Sequence, residues 1–445
     1  MTNAERAPSL VDATDDSPQS MKRVAVASFI GTVIEFYDFG IYGTAAALVF
    51  PHVFFPALGP AAGAVASFAT FGVAFGARPF GSLLFGHFGD RLGRKRTLIA
   101  TLLLMGVATL LVGLMPTADR IGAWAPLLIV VLRILQGLAA GGEFAGAVLF
   151  ASENAPKAKR GFWAMFPSFG GGGAILLANG VFFLTSASMS DKALVDWGWR
   201  IPFIGSIILV AVGLWVRLKT EETPVFKHAV SRAGTYRFPF IEAFKSQPRQ
   251  ILLATGTAMM CMVLTYVGGT YLVGYGTHTL ELSSTSVLSC TMLGGVTISI
   301  GVVVGGLLSD RIGRRWVIVG TACVAIVWTL MLFPILEHRS LWAFAVGVPV
   351  TMFISGVATG PLGAFLSELF HTRFRYTAAG FSYSLAAMLG GAIPPLVAPL
   401  IIQSYGGFAF GVLMAAVCIL SLVCVLAIGE TRQQSLEDDT ALTSA

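Results

Sequence analysis

The sequence predicts an all-α integral membrane protein of twelve transmembrane helices, built as two six-helix halves. Three observations carry the prediction. Of 445 residues, 55% are hydrophobic and only 12% charged, about half the charged share of an ordinary soluble domain. Twelve mostly apolar stretches reach the ~20 residues that a membrane helix needs. A set of polar landmarks also occurs twice, 220 residues apart.

The apolar stretches fall at roughly 24–48, 62–86, 97–115, 126–151, 162–186, 199–218, 250–275, 285–307, 316–336, 341–366, 377–402 and 407–428. In hydrocarbon every backbone N–H and C=O must be satisfied within the chain, and segments of this length do that as helices. A polar segment, 219–249, carries Glu221, Glu222, Pro224, Lys227, Arg232, Arg237, Pro239 and Lys245 and separates six spans from six. The expected organisation is a disordered tail at 1–21, a six-helix bundle at 22–218, a central loop at 219–249, a second bundle at 250–428 and a tail at 429–445. Residues 1–20 are polar and mixed in charge, without the apolar core or small-residue cleavage site of a signal peptide.

The formal charge of +6 has a topological explanation rather than a nucleic-acid partner. With the N-terminus placed inside, 23 of the 29 Lys and Arg residues fall on the cytoplasmic side and four on the outer side, with Arg78 and Arg133 within spans. That bias predicts both termini and the central loop in the cytoplasm of a cell-membrane protein. Cys261, Cys290, Cys323, Cys418 and Cys424 all lie in spans without metal-ligand spacing, which predicts free thiols.

The repeat is specific. Gly86-His87-Phe88-Gly89-Asp90-Arg91-Leu92-Gly93-Arg94-Lys95 follows the second span, and Gly306-Leu307-Leu308-Ser309-Asp310-Arg311-Ile312-Gly313-Arg314-Arg315 follows the eighth. Ser152-Glu153 is followed by Arg160, and Ser367-Glu368 by Arg375, each Arg seven residues after its Glu. Offsets of 220 and 215 indicate a duplication. Two six-helix repeats with a site between them at mid-depth describe an alternating-access carrier.

Both copies of G-x-x-x-D-R-x-G-R-[RK] resemble the signature loop of the major facilitator superfamily. Further segments resemble its metabolite:proton symporter family, whose members carry proline and betaines, α-ketoglutarate, citrate or shikimate. They are Gly31-Thr32-Val33-Ile34-Glu35-Phe36-Tyr37-Asp38-Phe39-Gly40-Ile41-Tyr42-Gly43, Ala77-Arg78-Pro79-Phe80-Gly81, Arg133-Ile134-Leu135-Gln136-Gly137 with Gly141-Gly142-Glu143, and Glu222-Thr223-Pro224-Val225-Phe226. The likeness runs from about 24 to 430; Phe36 departs from it, standing where the family commonly has Trp. It implies a transporter, not an enzyme, that needs no cofactor and works on a small molecule and protons in a bilayer.

Charges inside spans are costly and point to function. Glu35, Asp38, Arg78, Arg133 and Glu143 all lie in the first half. At ~1.5 Å of rise per residue, Glu35 and Asp38 sit roughly 17–21 Å deep, Arg78 about 18 Å and Glu143 ~15 Å, with Arg133 in the outer third. Three acids facing two arginines leave one carboxylate without a full counter-charge. A carboxyl that binds and releases a proton as the protein opens to either side is what proton coupling requires, and Asp38 or Glu35 is the expected site. Arg78 is its helix 1–2 partner, and Arg133 a counter-ion or a clamp for an anionic substrate. A static ion-pair cluster that fixes helix packing is the competing reading.

Tyr37, Tyr42, Arg133, Gln136, Tyr266, Tyr271 and Tyr383 are the candidate substrate contacts. Gly390-Gly391 ahead of Pro394-Pro395 suits a bending helix. The family resemblance assigns Asp90, Arg91, Arg94, Glu153, Arg160, Asp310, Arg311, Arg314, Glu368 and Arg375 to a gate at the cytoplasmic face. No phosphate-cradling G-x-x-x-x-G-K-[ST] is present, which disfavours an ATP-driven pump. The expected activity is symport of an organic acid or betaine-like metabolite. A drug:proton antiporter on the same fold is the alternative, though Gly170-Gly171-Gly172-Gly173 replaces the Gly-Pro element usual there. A non-transporting sensor is the other, and would be expected to have lost its core charges.

Overall fold

The computed structural model describes residues 21–219, 239–432, 434 and 436. Among them every regular element is helical. The first half contains α1 (Met21–Leu48), α2 (Gly59–Leu92), α3 (Arg94–Leu114), α4 (Trp124–Asn154), α5 (Phe166–Ala187) and α6 (Arg200–Leu218). The second contains α7 (Pro248–Tyr266, continued to His278), α8 (Ser284–Ile312), α9 (Arg314–Leu336), α10 (Leu341–Leu369), α11 (Arg375–Ala386, continued to about 405) and α12 (407–426). Helical structure runs without a marked end over the 52 residues Arg375–Leu426. A straight helix of that length would measure about 78 Å, more than twice a bilayer core. Gly406, at φ 82°, breaks it into two crossings and gives the twelve expected spans.

The expected central loop is partly helical, since Pro239–Ser246 forms a short helix before α7. The Glu222-Thr223-Pro224-Val225-Phe226 motif lies outside the described residues.

The duplication governs packing. Within the halves α2 lies along α4, and α8 along α10; between the halves α2 meets α11, and α5 meets α8. Each contact has its counterpart six helices away. Gly86 makes the α2–α11 approach possible, because an added Cβ there would lie 2.9 Å from the Thr377 hydroxyl. Gly93 and Gly313 end α2 and α8 at φ 102° and 106°, a left-handed conformation that strains any residue with a Cβ. These two turns mark one face of the bundle, called the basic face below.

Two helices of the second half loosen mid-span. α7 widens into a π turn at Val267–Tyr271 and α11 at Ala387–Ala392, over Gly268-Gly269 and Gly390-Gly391. Such turns commonly mark functional positions.

Candidate functional site

The charged core lies within the first half. Ser28, Gly31, Glu35, Asp38 and Tyr42 recur at three- and four-residue steps, so they share one buried face of α1. Glu35 pairs with Arg78 of α2 at 3.4 Å. Asp38 Oδ2 accepts from the Thr109 hydroxyl of α3 at 2.5 Å. Thr109 accepts in turn from Gln136 Nε2 at 2.7 Å, and Gln136 Oε1 from Arg133 at 2.9 Å. Asp38 and Arg133 therefore communicate through two neutral side chains, and among the described residues no salt bridge reaches Asp38. Both cations lie over aromatic faces: Arg133 is 3.8 Å from the Tyr42 ring centre and Arg78 is 4.0 Å from that of Phe39.

The structure corrects the charge count. Glu143 does not join Arg78 or Arg133; it forms a tight pair with Arg217 of α6 and accepts from Thr101 at 2.8 Å. Arg217, reckoned from the sequence with the basic charge of the central segment, is buried and also donates to the Leu98 carbonyl. Its long side chain turns back from the last turn of α6 into space that Gly31 leaves open, where an added Cβ would lie 3.2 Å from Glu143 Oε1. Three acids thus meet three arginines. Asp38 lacks a direct counter-ion because of geometry, not arithmetic.

The closed cavity between the halves is lined from α1, α4 and α5 by Phe36, Phe144 and Ser168, and from α7, α10 and α11 by Thr265, Tyr266, Thr359 and Tyr383. The space open to the centre of a water molecule is about 30 Å³, room for one or two waters. Tyr383 stacks on Phe144 across the halves at 3.7 Å, and Tyr266 meets Phe75 edge-on at 4.8 Å. Of the candidate substrate contacts, Tyr266 and Tyr383 line this cavity. Tyr37 is held by the Pro202 carbonyl, Tyr42 by Thr70, and Gln136 with Arg133 by the Asp38 chain; Tyr271 packs against Tyr275 and Phe410. Phe144, Ser168 and Thr359 were not anticipated, since lone hydroxyls and rings in apolar helices carry no sequence signal.

At the basic face the halves are latched reciprocally. Asp90 Oδ2 accepts from the Thr377 backbone N–H at 3.1 Å and its hydroxyl at 2.7 Å. Asp310 accepts from the N–H groups of Gly161 and Phe162 at 2.9 and 2.8 Å. Phe162 and Thr377 are equivalent positions of the repeat, each two residues beyond its Arg. That Arg reaches the other half's Glu: Arg160 to Glu368 at 3.1 Å, and Arg375 to Glu153 at 3.6 Å. Arg314 binds both Glu368 and Asp310. Among the described residues Arg91 and Arg311 stand apart: Arg91 contacts His87, and Arg311 offers only its carbonyl, to Arg432. The side chain of Arg94 lies outside the described residues.

The final segment, expected as a tail, also joins the latch. Glu430 accepts from the N–H groups of Arg314 and Arg315 at the start of α9. Thr431 donates to Glu368, Arg160 to the Gln434 carbonyl, and Arg375 to that of Leu436. The basic face is thus shut by contacts from both halves and from the final segment, and the space in the central cavity is water-sized.

Comparison with known proteins agrees with this architecture. The chain is 42% identical to the inner membrane metabolite transport protein YhjE of Escherichia coli, over 94% of this chain and 96% of that one. It is 36% identical to the E. coli shikimate transporter, over 93% and 95% respectively. The fold superimposes on the proton:xylose symporter XylE bound to 6-bromo-6-deoxy-D-glucose with a TM-score of 0.76 at 17% identity, covering 94% of this chain and 98% of that one. Residues 24–237 and 235–441 each match the family described as "Sugar (and other) transporter". The chain belongs to that family, the sugar (and other) transporters of the major facilitator superfamily, and is a multi-pass membrane transporter.

Proposed function

We propose that the chain is a proton-coupled symporter of a small carboxylate-bearing metabolite. It sits in the cytoplasmic membrane with its basic face, both termini and the central segment inside. Asp38 carries the reading. It is fully buried, has no direct cation among the described residues, and lies one helical turn from the ion-paired Glu35. A buried carboxylate without an adjacent counter-ion is costly, and binding a proton removes that cost. Release of the proton and reopening of the protein are thereby linked.

Substrate and proton sites meet at Tyr266, which lines the cavity and lies beside Arg78. A substrate carboxylate drawn toward Tyr266 and Arg78 competes with Glu35 for the same guanidinium, so substrate binding and protonation of the Glu35–Asp38 pair favour each other. The hydroxyls of Ser168, Thr265 and Thr359 suit the remaining polar groups, and Phe36, Phe144 and Tyr383 the carbon skeleton. Aromatic faces also suit a quaternary ammonium group, which keeps betaines within the class.

The test is uptake of labelled organic acids, amino acids and betaines into proteoliposomes under an imposed pH gradient. Accumulation of one of them that collapses when the gradient is dissipated is the expected result. Gradient-driven expulsion of lipophilic cations instead would establish antiport, and no transport of any probe would refute the reading.

A further inference from the structure

The polar face of α1 continues past the charged core to the basic face. Asp38, Glu35, Gly31 and Ser28 descend it in order, over about 15 Å of helix. Against Gly31 lie the Glu143 carboxylate and the Arg217 guanidinium, one turn below Glu35. Below them is a second cavity, inside the first half, lined by Ser28, Lys95 and Arg217 among apolar neighbours. Its water-accessible space is about 20 Å³, enough for one water. Ser28 is 97% buried, its hydroxyl makes no hydrogen bond among the described residues, and it borders this space. Lys95 and Arg217 belong to the end turns of α3 and α6, which places the cavity at the basic surface. None of these groups lines the central cavity.

We propose that this file is the inner proton route of the carrier, with Glu143 as its relay carboxyl, and that it runs inside the first half, apart from the substrate path. The proposal rests on the symport reading above. A proton released by Asp38 is taken up by the Glu35 carboxylate one turn below, leaving Asp38 ionised, and passes from Glu35 to the Glu143 carboxylate. The O–H bond on Glu35 breaks, one forms on Glu143, and Glu35 is left as a carboxylate against Arg78. Glu143 then gives the proton to water in the lower cavity, which carries it to the cytoplasm, and its carboxylate closes again on Arg217. Arg78 and Arg217 keep their charge throughout, so one positive charge is transferred and Asp38 alone ends in a different state. Thr101 holds Glu143 Oε2 so that the carboxyl stays aimed along the file.

The experiment compares Glu143→Gln and the double variant Glu143→Gln/Arg217→Gln with the wild type in proteoliposomes containing a pH-sensitive dye. Labelled shikimate, proline and glycine betaine are the probes. The double variant removes both charges, so it leaves no stranded arginine and keeps the test valid if the single variant folds poorly. Loss of a positioned proton-transfer group should slow pH-driven uptake, and the accompanying proton entry, by about 10²-fold. Counterflow, which exchanges loaded carrier without net proton movement, should stay near the wild-type rate. Ser28→Val, which fills the lower cavity without removing a charge, should slow uptake in the same selective way. A folded double variant that accumulates probe like the wild type would overturn the relay. So would a parallel fall of uptake and counterflow, which would make the pair a packing element. Failure of the wild type itself to couple any probe to protons would instead refute the symport reading, and the route with it.

Discussion

Replacing Asp38 by Asn should uncouple the carrier while leaving it folded, whereas replacing Glu35 by Gln should also destabilise the fold. The two acids are three residues apart on one helix face but differ in surroundings. In Asp38→Asn the side-chain amide retains an oxygen for the Thr109 hydroxyl, and no ion pair is broken, so the change should cost about 1 kcal/mol, one weakened hydrogen bond. Glu35→Gln removes the 3.4 Å partner of buried Arg78, and stranding a buried charge costs ~3–5 kcal/mol. The assay is accumulation driven by a pH gradient, set beside counterflow and thermal stability of the same purified variant. One pH unit is worth 1.36 kcal/mol per proton, so a one-proton symporter sustains about a tenfold substrate ratio per unit. A permanently neutral amide in place of the Asp38 carboxyl carries no proton and should hold the ratio near one with counterflow intact. A tenfold ratio in Asp38→Asn, or a loss of stability as large as that of Glu35→Gln, would refute the assignment.

Three further predictions concern the latch, the cavity and the orientation. Asp90→Asn and Asp310→Asn each weaken two cross-half hydrogen bonds to a charged acceptor, worth ~1.5–3 kcal/mol apiece. Each should shift the protein toward opening at the basic face, read as faster alkylation of a cysteine placed at Ser168. Unchanged alkylation in both would remove the latch role. Phe36→Trp enlarges a ring bordering a cavity of about 30 Å³ and should raise KM or change probe preference with little effect on stability; an unchanged probe profile would place substrate elsewhere. A single cysteine at Ser231 should resist an impermeant thiol reagent added outside intact cells, and rapid labelling would invert the proposed topology.

The fold was largely legible in the sequence because membrane helices must be long and apolar, and because the repeated motif marks both halves. Twelve spans were expected and the described residues form twelve, yet Gly406 shows how little separates two crossings from one continuous helix. The charged core was half legible. Its acids and two of its arginines stand out as charges within apolar runs, whereas Arg217 sits at a helix end, where an inward and an outward guanidinium look alike in sequence. Tyr37 and Tyr42 were expected at the substrate because tyrosine combines a ring with a hydroxyl; the same properties let them serve as internal hydrogen-bonders on Pro202 and Thr70. The tail contacts of Glu430 and Thr431 join residues far apart in the chain, and local pattern carries no trace of them.

The duplicated halves divide their labour unevenly, and the reason is electrostatic. The latch is shared: an Asp, a Glu and an Arg from each half grip the other, so opening breaks equivalent bonds on both sides of the pseudo-twofold axis. The charged core is not shared. Were Glu35, Asp38 and their arginines divided between the halves, each transport stroke would tear ion pairs apart in low dielectric, at a cost of several kcal/mol. Held within one bundle, these ion pairs need not break when the halves shift against each other. Besides the meeting point at Tyr266, the helices themselves tie the charged core to the cavity. Glu35 precedes Phe36 in α1, and Glu143 precedes Phe144 in α4. Consecutive helical residues point about 100° apart, so in both helices the acid faces the core while the ring faces the cavity. Each of these helices therefore carries both an acid of the charged core and an aromatic wall of the cavity. Phe144 is also the ring stacked on Tyr383 of the opposite half, so α4 joins the charged core, the cavity wall and the contact between the halves.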